Sequence, residues 1–527
     1  MYDQNYLANH LRASSVGQSE RRFAKKPDGS KVSYQAFFGG AEALAKVLIR
    51  KGVKPNDRVA VQVDKSVEVL QLYVATVLAG GVFLPLNTAY TAAEVSYFVE
   101  DASPVVFVCG SETLAELEPI AKDLGVLAVE TLDGDGSGSL TAAAQTMDIA
   151  DFEAVARGED DLAAFLYTSG TTGRSKGAML THKNLWSNAS TLKDYWSFTQ
   201  NDVLIHVLPI FHTHGLFVAI NTTLAAGSSL IFMPAFNADK IIDALPEATV
   251  LMGVPTFYVR LLSHEGLSRD SVKNMRLFVS GSAPLLAETH VKWQEQTGTA
   301  ILERYGMTET NMNTSNPYGG DRRPGTVGYP LPGVEVKITD PASGEELPNG
   351  EVGSIEVRGP NVFKGYWNMP EKTKEELREN GFFITGDLGM IDERGYVSII
   401  GRSKDLIITG GYNVYPKEIE LLIDDLEGVV ESAVIGLPHA DFGEAVTAVI
   451  VPESDATLTE AEIKAALAAD IAKFKQPKQV FFVDELPRNT MGKVQKNVLR
   501  DTYSETPSDA FVDDFIGGAG PVLLPKA

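Results

Sequence analysis

The sequence predicts an α/β protein: a large, multi-subdomain N-terminal α/β domain with a β-rich subregion, followed by a small α+β C-terminal domain. Three observations predict it. Continuous apolar runs alternate with helical patterns from about residue 30 to about residue 400, which is the pattern of parallel strands covered on both faces. Near Thr326 the texture changes to alternating strands and turns. After GRSKDLIITGG comes a compact stretch of about 100 residues with two strand–helix repeats, the size of a small domain.

The strand-like runs, in order, are RVAVQV, VFLPL, PVVFVCG, LAAFLYTSG, VLIHVLP, SSLIFMP, ATVLMGV and MRLFVSG. The β-rich part begins with VEVKITDPASGEELPNGEVGSIEVRG. From Val69 to Ala93 no residue is charged, and the length would span a bilayer. Gly80-Gly81 would end a helix there, and Pro85 follows VFL, so the stretch reads as a core helix, a turn and a buried strand. The boundaries expected are 1–401 for the large domain, 402–503 for the small one and 504–527 for a Gly-, Pro- and Asp-rich tail.

A chain of 527 residues with 44% hydrophobic and 22% charged content can build a sizeable core in two or three domains. A net charge of −23 argues against nucleic-acid or anionic-membrane partners, which need a positive surface. The single cysteine, Cys109, excludes an intramolecular disulfide and a thiolate metal site, and reads as a small buried hydrophobe. MYDQNYLANHLRASS has no apolar segment of a secretory signal, so a cytoplasmic protein is expected.

Two stretches carry chemistry on their own terms. LAAFLY runs into TSGTTGRSKG, residues 168 to 177, where glycines let backbone approach oxygens, hydroxyls and N–H groups donate, and Lys176 adds charge. The spacing is not the Walker pattern, and a bare Gly/Ser/Thr loop is often a surface turn; the preceding strand and terminal lysine favour a phosphate site. In LMGVPTFYVRLL, residues 251 to 262, Arg260 shares a helix face with Thr256 and Phe257. It either snorkels to solvent or meets an arriving anion.

YTSGTTGRSKG resembles the signature of the adenylate-forming superfamily of acyl-CoA synthetases, luciferases and peptide-synthetase adenylation domains. ERYGMTET at 303 to 310, TGDLG at 385 to 389, GRSKDLIITGG at 401 to 411 and PRNTMGKVQK at 487 to 496 follow in that family's order. Within it, PIFHTHGLF, GVPTFYVR, SGSAPL and YGMTETNMNTSNP are most similar to malonyl-CoA synthetases. The resemblance implies ATP, magnesium and coenzyme A: a carboxylate attacks the α-phosphate of ATP, and the coenzyme A thiol then displaces AMP. The small domain is expected to move between the two half-reactions.

Carried over residue by residue, the resemblance assigns Thr168, Ser169, Gly170, Thr171, Thr172, Gly173 and Lys176 to the β- and γ-phosphates. Thr308 falls beside the α-phosphate and Glu309 on the magnesium ion. Gly281, Ser282, Ala283 and Pro284, with Glu303, Arg304, Tyr305 and Gly306, become the adenine walls. Asp387 and Arg402 are placed on the ribose, although Asp387 could equally cap a turn. Lys404, or its neighbour Asp405, is the hinge; Gly410 and Gly411 line the coenzyme A tunnel. Lys493 serves the adenylation step.

For the acyl pocket the resemblance implies Arg260 on a second carboxylate, completed by Ser282 and His214. Thr213 and Met312 limit the acyl branch, and His212 matches a gate. His206, His212 and His214 do not make a zinc site, since H-x-H supplies two ligands and no Cys or carboxylate cluster completes the shell. The expected substrates are malonate and methylmalonate. Two alternatives remain open: a ligase for another short or aromatic acid, and an adenylating enzyme that passes its product to a different acceptor.

Overall fold

The computed structural model describes residues 2–168, 175–409, 412–439, 443–454, 456–468, 470–489 and 492–504. The chain divides into two compact units, Met1–Thr385 with Gly389–Ile399, and Gly386–Leu388 with Ile400–Ala527.

The larger unit is the expected α/β assembly. Its seven-stranded sheet runs in the order Gly365–Tyr366, Lys176–Thr181, Leu162–Thr168, Val82–Pro85, Arg58–Gln62, Val106–Cys109, Ala128–Thr131. The last five strands are parallel, and each of the predicted apolar runs among them is a strand. The uncharged stretch resolves into a buried helix Val67–Leu78, a turn in which Gly80 takes φ 76, and the buried strand Val82–Pro85. Ser66 starts that helix by accepting from the Val69 N–H.

A nine-stranded sheet carries the other apolar runs. Its order is Tyr329–Pro330, Asn311–Ser315, Leu302–Met307, Leu277–Ser280, Val250–Gly253, Val203–His206, Ser229–Phe232, Arg22–Lys25, Lys31–Ser33. Gly253 pairs with Ser280, and Ser280 with Glu303, in parallel register. The strands Val250–Gly253 and Leu277–Ser280 therefore end together, level with Glu303, while Leu302–Met307 runs on past them. A four-stranded sheet, Glu335–Thr339, Gly353–Arg358, Phe383–Ile391 and Val397–Arg402, forms the β-rich subregion.

In the smaller unit, the long hairpin Val429–His439 and Gly443–Pro452 is flanked by Ile407–Thr409, Tyr412–Val414 and Gln479–Phe482. Helices Pro416–Asp424 and Glu460–Leu467 bury Ile419, Ile423, Ile463 and Leu467 in a core of their own. No helix among the described residues is long and apolar enough to cross a membrane.

Candidate active site

The strand Leu162–Thr168 leads into the phosphate loop and Lys176–Thr181 returns antiparallel beside it, Thr168 opposite Lys176. Ser169, Gly170, Thr171, Thr172 and Gly173 lie outside the described residues. Lys176 is 7% exposed, and its ammonium is already engaged: it lies 3.1 and 3.2 Å from the two carboxylate oxygens of Glu376 and 4.2 Å from the centre of the Tyr366 ring.

Thr308 and Glu309 occupy the tight turn between Leu302–Met307 and Asn311–Ser315. Gly306 is required here, since a Cβ would stand 1.8 Å from the Asn311 carbonyl oxygen. Glu309 is 5% exposed, and the Tyr366 hydroxyl lies 3.0 Å from its Oε1 and 2.6 Å from Oε2 of Glu376. Among the described residues no three His, Cys, Asp or Glu gather as a protein-built metal cage. One buried carboxylate fits magnesium, which keeps waters and is commonly bound through one or two carboxylates and a substrate's phosphates. Tyr366 and Glu376 escaped the sequence reading: Glu376 ends a run of charges, PEKTKEE, that reads as a solvated helix face.

Of the residues assigned to the adenine walls, Glu303 to Gly306 lie on the strand Leu302–Met307. Along a strand successive side chains point to opposite faces, so Glu303 and Tyr305 leave one face while Arg304 leaves the other. The side chains of Glu303 and Arg304 therefore do not share one face. Tyr305 is half-buried against Ile338, Ile355 and Val357. Burial pushes the Glu303 carboxyl up to about 8, although N–H groups of Leu285 and Gly325 donate to it. Gly281 is buried, Ser282 and Ala283 half-buried, and Pro284 exposed.

Arg260 is not the buried cation that the sequence suggested. The helix Pro255–Leu262 buries Pro255, Tyr258 and Leu261, and Arg260 falls off that face. It is exposed, its guanidinium 5.6 Å from the centre of the Phe236 ring, and no carboxylate among the described residues pairs with it.

The buried guanidinium is Arg304, 3% exposed, and its Nε and Nη2 have no hydrogen-bond partner among the described residues. It lies on Gly281, where an added Cβ would stand 2.4 Å from its Cζ. Burial pushes its pKa down to about 9, the direction for a cation short of counter-charge, which still leaves it protonated at neutral pH.

Two of the residues assigned to the acyl pocket, His214 and Ser282, lie near it. His214 is buried, its Nδ1 3.2 Å from the Ser282 hydroxyl and its Nε2 without a partner among the described residues. Burial, and secondarily the field of Arg304, hold the His214 imidazole neutral, well below its ordinary pKa. Ser282 takes φ 73, a left-handed backbone that a non-glycine residue adopts only under constraint. Thr213 is buried and donates to Asn311 Oδ1 at 2.9 Å; Met312 is buried on the next strand, its carbonyl accepting from Asn188.

His212 is half-buried and its Nδ1 accepts from the His214 N–H. His214–Asn221 forms a π-helix, a widened turn often found at functional sites and without a signature in this sequence. Gly215 is needed in it, because a Cβ would stand 2.0 Å from the Pro209 carbonyl oxygen.

In the smaller unit Asp387 and Arg402 form an ion pair of 2.7 Å. Lys404 is exposed in a short 3-10 turn, whereas Asp405 is tied to Arg500 at 2.5 Å. Gly410 and Gly411 lie outside the described residues. Lys493 is half-buried in a loop whose ends meet at Arg488 and Val494. Asn489 closes that loop, its side chain accepting from the Lys493 N–H at 3.0 Å and its own N–H donating to the Lys493 carbonyl at 2.9 Å.

Residues 11–367 match the AMP-binding enzyme family, and residues 418–493 match the AMP-binding enzyme C-terminal domain. A malonate–CoA ligase of Arabidopsis thaliana is 35% identical over 536 residues, spanning 92% of this chain and 87% of that protein. A mitochondrial malonate–CoA ligase of Mus musculus is 36% identical over 507 residues, spanning 89% and 86%. The crystal structure of ATP-bound MatB from Rhodopseudomonas palustris superposes with a TM-score of 0.92 at 61% identity, over 94% of this chain and 99% of that one.

Proposed function

The chain belongs to the AMP-binding enzyme family as an AMP-forming acyl-CoA ligase, and we propose that its acid is malonate, with methylmalonate also accepted. One carboxylate of malonate attacks the α-phosphorus of ATP and the bond to pyrophosphate breaks. The coenzyme A thiol then attacks the acyl carbon of the adenylate, and AMP leaves.

The observation that carries malonate is Arg304. A buried guanidinium without a carboxylate is costly by several kcal/mol, and a monocarboxylic acid spends its only charge at the phosphate. A diacid brings a second carboxylate, which a guanidinium can meet with two parallel hydrogen bonds. His214 and Ser282 stand beside that position, and Thr213 and Met312 bound the space for a branch. Arg260, exposed on its helix, keeps a lesser role as a cation that attracts the diacid. Relatives that bear the name malonate–CoA ligase support the same choice.

The first step starts from a carboxylate that is already a nucleophile, so it needs charge neutralisation and alignment more than a base. Thr308 and the phosphate loop are assigned to the phosphates, Asp387 and Arg402 to the ribose, and Lys493 to the charge on the α-phosphate during adenylation. Glu309 would hold magnesium, which supplies charge neutralisation for the phosphates when bound. Gly410 and Gly411 are assigned to the coenzyme A side of the second step, with the hinge at Lys404 or Asp405. A large unit over residues 1–401, a lid over 402–503 and a tail remain our assignment of the domains, and the cytoplasm our assignment of location.

Pyrophosphate release across a panel of acids, with and without coenzyme A, tests the proposal. Malonate should lead, methylmalonate follow, and acetate, benzoate and longer diacids trail; a panel led by any monocarboxylic acid overturns it.

A further inference from the structure

We propose that His206 is a positioning residue of the acyl pocket. Its Nε2–H, donated to the Gly215 carbonyl, fixes the start of the π-helix that presents His214 to the second carboxylate of the acid. The inference rests on the reading of that pocket as a diacid site, and it names the group that holds one of its walls.

His206 closes the strand Val203–His206 and is held from both sides. Phe232 stands opposite it on one neighbouring strand and Met252 on the other, both in parallel register. The His206 carbonyl accepts from the Met233 N–H at 3.1 Å and from Lys65 Nζ at 2.9 Å. Lys65 Nζ also donates to the Met233 carbonyl at 2.6 Å and lies 4.7 Å from the centre of the Phe232 ring. On that ring the His206 imidazole stacks, with centres 5.8 Å apart and planes within 5° of parallel. Backbone and ring of His206 are therefore both constrained.

His206 is 1% exposed; its Nε2 lies 2.8 Å from the Gly215 carbonyl oxygen, and its Nδ1 has no partner among the described residues. A carbonyl oxygen only accepts, so the proton sits on Nε2 and Nδ1 keeps its lone pair. Burial, and after it the field of Lys65, hold the ring neutral, well below its ordinary pKa. A neutral imidazole with its one N–H committed is a fixed donor, neither acid nor base.

Gly215 is where such a donor matters. It follows His214 in the π-helix His214–Asn221, whose start has no side-chain cap among the described residues. Two contacts pin that start: bare Gly215 packs on the Pro209 carbonyl, and His206 holds the Gly215 carbonyl. Without the His206 N–H the second contact is lost, and a buried carbonyl loses a donor. The His214 imidazole, one residue earlier and 3.2 Å from the Ser282 hydroxyl, is then no longer held in place. A diacid feels that shift at its second carboxylate. Acetate, which spends its only carboxylate at the phosphate, does not.

The test is kcat/KM for malonate and for acetate on the full-length protein. His206→Phe keeps a stacking ring and removes the N–H; the malonate-to-acetate ratio should fall about tenfold or more, toward the roughly 100-fold that a 1 Å displacement costs. His206→Gln can bring an amide N–H close to where Nε2 stands. Its ratio should return to within about threefold of the parent, inside the effect of one lost hydrogen bond. His214→Ala, which removes the wall itself, should lower the ratio too. A second readout needs no active variant: in the parent labelled with 15N-histidine, the His206 signals at neutral pH should be those of the Nε2–H tautomer.

Three results would each overturn the proposal: a His206→Phe enzyme with the parent's ratio, a His206→Gln enzyme no better than His206→Phe, or a His206 protonated on Nδ1. A ratio that falls in His214→Ala and not in His206→Phe sinks this inference alone. A ratio untouched in His214→Ala sinks the diacid pocket, and the role of His206 with it.

Discussion

The guanidinium of Arg304 rests on the backbone of Gly281, so closely that a Cβ at position 281 would stand 2.4 Å from its Cζ. Parallel register makes the contact: Ser280 pairs with Glu303, and each strand's next residue lies alongside. Gly281→Ala should therefore displace Arg304 while leaving the nucleotide loop intact. A displacement near 1 Å costs about 100-fold in rate when the moved group orients a reactant. The kcat/KM for malonate should fall by about that factor, and that for acetate by far less. Equal losses on the two acids would return Gly281 to the adenine wall.

Lys493 stands in a loop pinned by Asn489 and by Arg488, whose Nη1 donates to the Gly492 carbonyl at 2.6 Å. These contacts are made by the backbone of Gly492 and Lys493 and do not depend on the lysine's side-chain charge. Lys493→Ala should thus leave folding intact and slow malonyl-adenylate formation by about 100-fold or more, the scale of losing one preorganised charge contact. Thioester formation from supplied malonyl-adenylate should be spared. Acetylation of Lys493, which removes the same charge, should have the same effect. Equal loss of both half-reactions would make the lysine structural.

How much of this was legible in the sequence depends on the range of the interaction. The strands could be read because each is buried on both faces and so apolar throughout, and the motifs because their residues are contiguous. Arg260 drew attention as one charge in an apolar run, yet the helix turns it outward. Arg304 was assigned with Glu303 to the adenine walls by their place in one motif; strand alternation sends the two side chains apart, which no count of charges reveals. The ion pair of Lys176 with Glu376 closes 200 positions along the chain. Nothing local in either segment announces it. The π-helix at His214–Asn221 is set by packing around Gly215 and likewise leaves no periodic trace.

The Glu303 carboxyl, raised by burial from 4.5 to about 8, gives a pH signature with a definite sign. Across that window the folded protein holds a proton that the unfolded chain has released. Stability therefore falls as pH rises, by up to about 1.4 kcal/mol per pH unit from this one group. Glu303→Gln removes the titration. Its stability relative to the parent should climb steadily between pH 5 and pH 8, by a few kcal/mol in all, in denaturant titrations across that range. Parallel curves for the two proteins would mean that Glu303 ionises normally.

The central claim is that Arg304, buried and with no carboxylate partner among the described residues, selects a diacid, and the ratio of kcat/KM for malonate to that for acetate measures it most directly. In Arg304→Leu the malonate value should drop by roughly 2–5 kcal/mol in transition-state terms, the cost of leaving a buried carboxylate unpaired, while acetate holds or improves. Arg260→Leu, at an exposed position, should change the ratio by less than about 1 kcal/mol. An Arg304→Leu enzyme that keeps the parent's preference for malonate, with Arg260→Leu losing it, would contradict the account and move the second carboxylate to Arg260.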